Sequence, residues 1–193
     1  MLRPAITLLL LGTALFGVAY PLAVTGFAQS LFAEQAHGSI VSRAGRPVGS
    51  KFIGQAFSSP KYFRGRPSAT TPPYNASASS ASNLGPSNPD LRKAVQARVL
   101  ELHQLDPGNV KLIPAELVEA SASGLDPEIS PESAEYQVPR IARARSMDEA
   151  KLRALVAAHT QGRQFGVLGM PRVNVLELNL ALDSEQRPAA SSQ

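Results

Sequence analysis

The stretch Ala5-Ile-Thr-Leu-Leu-Leu-Leu-Gly-Thr-Ala-Leu-Phe-Gly-Val-Ala-Tyr-Pro-Leu-Ala-Val-Thr-Gly-Phe-Ala28 decides how the rest of the chain is read. It contains no charged residue. At about 1.5 Å of rise per residue, roughly 20 apolar residues cross the hydrocarbon core of a bilayer, so the run is long enough to span. A cleaved secretory signal is the competing reading. Arg3 supplies a basic start, and Gly26-Phe27-Ala28 offers small residues before a cut, although a run well beyond about 15 residues favours an anchor. Either way, residues after Ala28 are delivered to the outer side when the short basic N-terminus stays inside. The charge signal for that orientation is weak, because Arg3 stands alone on one flank while Arg43 and Arg46 lie beyond the other. Within the run, Gly12, Thr13, Ala14 and Gly17 are small, and Thr13 to Gly17 has the spacing at which membrane helices approach closely. Glycine is also simply frequent in membrane helices.

Working outward, the 193-residue chain is long enough for one ordinary domain behind that segment and too short for a pump. Its net charge is +4 and its basic residues are scattered singly or in pairs, which describes a solvated surface better than a nucleic-acid interface. Aromatic residues are 6 % with no Trp, leaving few stacking platforms for bases. There is no Cys, which excludes disulfides, thiol nucleophiles and cysteine metal sites.

The remainder, residues 29–193, reads as one α+β domain. Short apolar pieces around Arg43-Ala44-Gly45-Arg46 predict a β-hairpin. Residues 68–90 are dominated by Ser, Thr, Asn, Pro and Gly and predict a long polar surface loop. Asn88-Pro89-Asp90 is a helix start, carrying Leu91, Val95, Val99 and Leu102 on one face and ending before Pro107-Gly108. A helical turn follows from Pro114 to Ala120, and Gly124 is placed to take a left-handed conformation. Ser130-Pro131-Glu132 opens another helix, which Pro139 should kink or end early. Ser146 and Glu149 have capping-box spacing for a helix whose Leu152, Leu155, Val156 and His159 share a face. Val173 to Leu182 alternates apolar and polar and predicts a half-buried strand.

Chemistry-bearing motifs are sparse. His37, His103 and His159 are far apart and fit no ligand spacing, so a metal site is not expected. Ser58-Ser59-Pro60-Lys61 matches the serine–lysine pattern of acyl enzymes, but its companion motifs are missing and Pro60 obstructs the helix that would align the pair. No phosphate-cradling loop with its lysine is present, nor a P-type phosphorylation sequence. Phe63-Arg64-Gly65-Arg66-Pro67-Ser68 is the one tight basic cluster. It reads equally as an anion or partner surface and as arginines holding loop carbonyls.

Ordered phrases along nearly the whole chain resemble the KdpC family, the C subunit of the Kdp potassium-transporting P-type ATPase. They include Gly49-Ser50, Ile53-Gly54-Gln55, Gly65-Arg66-Pro67-Ser68-Ala69-Thr70, Ser82-Asn83-Leu84, Ser123-Gly124-Leu125-Asp126, Tyr136-Gln137-Val138-Pro139-Arg140 and Val173 through Asp183. The resemblance implies an inner-membrane accessory subunit without catalytic residues of its own, anchored by residues 1–28 with residues 29–193 outside the cytoplasm. Its partners would be the ATPase subunit, a channel-like potassium-binding subunit and a small membrane peptide, with the bilayer and without nucleic acid. The family is described as a catalytic chaperone that raises ATP affinity of the ATPase subunit, and Gln137, Ser82 and Asn83 are the positions to which a nucleotide contact would carry over; a buried glutamine capping neighbouring backbone is the favoured reading of Gln137. Here Ser80-Ala81-Ser82-Asn83-Leu84 replaces a glycine pair common in that phrase, which limits close backbone approach to a phosphate. The other reading is a secreted or periplasmic binding protein whose signal peptide has been removed.

Overall fold

In the computed structural model, residues 2–186 are described; the end of the expected domain, residues 187–193, lies outside them. As expected, an apolar helix precedes an α+β fold, and the chain separates into one compact unit through Ser50 and a second from Lys51 onward.

The first unit is built on a continuous helix, Leu2–Leu31, with none of its 18-residue apolar window buried. It comprises α1 (Leu2–Gly12), a π-helical stretch (Thr13–Ala19) and α2 (Tyr20–Leu31). Proline explains the widened turn. Pro21 has no N–H to give to the carbonyl four residues earlier, and its ring would collide with it. In the π register, the Tyr20 N–H reaches back five residues to the Leu15 carbonyl instead. A single-turn helix, α3 (Ala33–Ala36), leads to the hairpin of β1 (Ile40–Arg43) and β2 (Arg46–Ser50). Ala44 and Gly45 both have positive φ, 51° and 75°, which gives the turn a twist matching that of the strands.

In the second unit, the polar segment contains only a 3-10 turn, Ala76–Ala78, before α4 (Pro89–Leu105). The Asn88 side chain caps α4 by accepting from the Asp90 N–H at 2.8 Å, as its sequence predicts. The next turn is shorter than expected, a 3-10 turn at Ala115–Leu117, and Gly124 adopts its left-handed conformation at φ 68°. Three short antiparallel strands, β3 (Glu128–Ile129), β4 (Thr160–Gln161) and β5 (Arg172–Asn174), form a sheet in the order β3-β5-β4. Helices α5 (Pro131–Arg145), α6 (Glu149–Ala158) and α7 (Val175–Glu185) complete the unit. Phe63, Ile129, Val138, Ile141, Leu152, Val156, Val173, Leu178 and Leu182 make one buried core among these elements.

Three expectations are corrected. Helix α5 runs through Pro139 to Arg145, because buried residues on both sides of the proline, from Tyr136 to Ala142, fix the helix by packing. That packing outweighs the roughly 3 kcal/mol by which an interior proline disfavours a helix. The cap of α6 is Asp148, whose carboxylate accepts from the Lys151 N–H at 3.0 Å. Ser146 instead closes α5 in a left-handed conformation at φ 52°. The predicted strand from Val173 to Leu182 is strand only to Asn174. Asn174 then accepts from the Glu177 N–H at 3.0 Å and starts α7. It buries Val175, Leu176, Leu178, Asn179 and Leu182, of which Val175, Leu178, Asn179 and Leu182 follow the helical spacing of three and four.

Candidate functional site

The basic phrase around Phe63 crosses the second unit as an extended segment without a strand partner. Backbone groups buried in this way must find other partners. Two side-chain amides supply them. Asn179 on α7 accepts from the Phe63 N–H and donates to the Phe63 carbonyl, both at 2.9 Å. One residue on, Gln137 of α5 accepts from the Arg64 N–H at 2.8 Å and donates to the Arg64 carbonyl at 3.1 Å. Each amide thus stands in for a neighbouring peptide unit, and the Phe63 ring between them is fully buried.

Arginines continue the grip. Arg140 donates to the carbonyls of Pro60 and Tyr62 and, at 2.8 Å, to Gln137 Oε1. Burial and the nearby positive charge of Arg64 push Arg140 down to about 10, and neutral oxygens are its hydrogen-bond acceptors. Arg145 donates to the Lys61 carbonyl at 2.7 Å, stacks 4.7 Å from the Tyr62 ring centre and pairs with Asp183 at 2.8 Å. The arginines of the basic phrase itself are also engaged. Arg64 pairs with Glu101 at 2.5 Å and donates to the Ser58 carbonyl, while Arg66 pairs with Asp126 at 3.3 Å. A cavity of about 270 Å³ lies beside them, lined by Arg64, Arg66, Arg98, Glu101, Tyr74 and Gln137 among others. The Tyr74 hydroxyl donates to the Arg66 carbonyl at 2.6 Å; burial, reinforced by Asp126, raises its pKa.

These contacts locate the residues singled out in the sequence. Gln137 is 3 % exposed, and its Nε2 also donates to the Ser133 carbonyl at 3.2 Å, so four hydrogen bonds occupy its amide. Ser82 and Asn83 are exposed on the polar loop, Asn83 in left-handed backbone at φ 53°, and neither lines the cavity that Gln137 reaches. Gly12 is half-buried, with Thr13 and Gly17 exposed along the apolar helix; a Cβ at Gly17 would meet only Thr13 Cγ2, at 3.7 Å. Ser58 and Lys61 are exposed on a non-helical segment. His159 is half-buried at the end of α6, 3.0 Å from the Leu155 carbonyl. Among the described residues no group of three or more potential ligands is placed to hold a metal ion.

A second cavity, of about 930 Å³, opens between the start of α5 and the connection from β4 to β5. Its walls include Glu116, Asp126, Glu128 and Glu132 and the apolar Phe52, Leu168 and Met170. Asn179, Arg140 and this apolar connection were not visible as sites in the sequence. The run Phe165-Gly-Val-Leu-Gly-Met170, large apolar residues broken by glycines, was the available signal for the last of these.

Residues 2–184 match the family described as KdpC: K+-transporting ATPase, c chain. The proteins called Potassium-transporting ATPase KdpC subunit in Dechloromonas aromatica (strain RCB) and Variovorax paradoxus (strain S110) are 60 % and 58 % identical to it. Those matches cover 95 % of this chain in both cases, and 97 % and 96 % of the relatives. The protein of the same name in Sorangium cellulosum (strain So ce56) is 58 % identical over 94 % of this chain and 96 % of its own length. With both the apolar helix and the clamped α+β fold inside these matches, the chain belongs to the KdpC family.

Proposed function

We propose that the chain is an accessory subunit, without catalytic residues of its own, of an ATP-driven potassium uptake complex. In this reading residues 1–28 hold it in the inner membrane, the domain from residue 29 onward stands outside the cytoplasm, and its work is to stabilise the assembly. The carrying observation is the match over residues 2–184, which includes the apolar helix as well as the folded units. Small residues at Gly12, Thr13 and Gly17 then serve close packing against the membrane parts of the channel-like subunit, the ATPase subunit or the small membrane peptide.

An effect on ATP affinity, the chaperone role, would pass through contacts with the ATPase subunit. Direct adenine recognition by Gln137 requires breaking the four hydrogen bonds that its amide already makes. Nucleotide contact through Gln137, Ser82 and Asn83 is therefore the weaker reading, favoured only by the exposure of Ser82 and Asn83. Labelling a single cysteine placed at Ser80 separates the two. Labelling in intact spheroplasts supports the extracytoplasmic reading, whereas labelling only in inverted vesicles puts the domain with cytoplasmic ATP and sinks it.

A further inference from the structure

Between β4 and β5 the chain reverses tightly at residues 164–168. The Gln164 N–H donates to the Leu168 carbonyl and the Leu168 N–H to the Gln164 carbonyl, both at 2.9 Å. Phe165 takes a left-handed conformation at φ 52°, which is rare for an aromatic side chain. It buries nothing in exchange, being 92 % exposed, and Val167, Leu168 and Met170 around it are 70, 56 and 68 % exposed. Such a group of large apolar side chains on one tip marks a contact surface.

The chemistry of the partner is written on the opposite wall. The tip borders the 930 Å³ cavity, whose lining carries the carboxylates Glu116, Asp126, Glu128 and Glu132 against the single guanidinium of Arg172. Asp126 is paired with Arg66 and Glu128 with Arg172, while Glu116 accepts from the Ser130 N–H and hydroxyl. Glu132 is exposed in the first turn of α5. The wall is therefore net negative beside an apolar lip. Anionic lipid headgroups would be repelled there, and a purely apolar segment would leave Glu116 and Glu132 without a compensating cation.

We propose that this cavity docks a protein segment of the potassium-transporting assembly that presents a lysine or arginine between apolar side chains. The apolar residues cover Phe165, Val167, Leu168 and Met170, and the cation enters among the carboxylates. The proposal rests on the subunit reading above and specifies where that subunit is held.

The test uses the full chain in the assembled complex, with a photo-crosslinking phenylalanine analogue at position 165. The expected product is a crosslink to another subunit, within about three residues of a lysine or arginine. Its yield should fall roughly tenfold with Glu132→Lys, fall less with Glu132→Gln, and decrease as salt is raised. An intact complex whose crosslinks go to lipid, to a second copy of this chain or to nothing overturns the proposal and leaves the subunit reading standing. So does a yield indifferent to both Glu132 variants. Failure of the wild-type chain to co-purify with any ATPase subunit overturns the subunit reading and the proposal together.

Discussion

Residues 60–66 and residues 163–170 invert the usual placement of side chains in opposite ways. Polar groups from α5 and α7 are buried against the first segment: Gln137 is 3 %, Arg140 6 % and Asn179 2 % exposed, and their amide or guanidinium groups bond to its backbone. In the second, large apolar groups stand in water. A buried polar group that is fully partnered specifies how the chain is threaded. An exposed apolar group that packs on nothing gives the isolated chain no stability and becomes useful only when something covers it. The contrast teaches that the residues most like a binding site by type, a glutamine and several arginines, serve the fold, while the outward-facing contact surface is built of Phe, Val, Leu and Met.

Breaking the first region should have large effects on stability. Phe63→Ala removes a ring that is fully buried and should destabilise the fold by about 3–5 kcal/mol, read as a drop in the denaturation midpoint. Gln137→Leu leaves the Arg64 N–H and carbonyl without their partners and should lose about 2–4 kcal/mol in the same measurement. A loss of nucleotide binding with unchanged stability would mean instead that the amide serves a ligand. Gly54→Ala should be destabilising by at least about 1–3 kcal/mol, since the added Cβ would stand 2.5 Å from the Asp126 carbonyl and 2.6 Å from the Tyr74 ring.

Alkaline titration sharpens the same region. Tyr74 holds its proton more tightly in the fold than in the unfolded chain, so its contribution is fully present below pH 10, the ordinary tyrosine value. As pH rises past that value the unfolded state releases protons first, and stability falls until the folded group ionises. Urea melts across this window should show a downward contribution to the slope that Tyr74→Phe reduces, Tyr136 being raised by burial in the same way. The smallest effect belongs to the other region: Phe165→Asn, which suits a left-handed position, should change stability by no more than about 0.5 kcal/mol.

What was legible in the sequence was local. The apolar helix, the hairpin turn at Ala44-Gly45 and the caps at Asn88 and Ser130 depend on a few adjacent residues, and each is found where its pattern put it. The early end expected at Pro139 and the strand expected from Val173 to Leu182 were misread because packing decided them. A proline inside a helix held on both sides is tolerated, and the repeated leucines of α7 satisfy both a period of two and a period near 3.6. Gln137 could be read as a glutamine capping backbone, but the pairing of the amide clamp could not, because its partners are separated by 73 and 116 residues. Nothing in a single sequence pairs Arg64 with Gln137 or Phe63 with Asn179.

The central claim is that the chain stays in the membrane as part of a potassium-transporting assembly. The direct measurement is to purify the C-terminally tagged full chain from membranes of cells producing the other Kdp subunits, sequence its N-terminus and identify what comes with it. The account predicts that the apolar helix is retained and that the ATPase and channel-like subunits co-purify in constant proportion. A mature chain beginning near Gln29 and free of those subunits would contradict it.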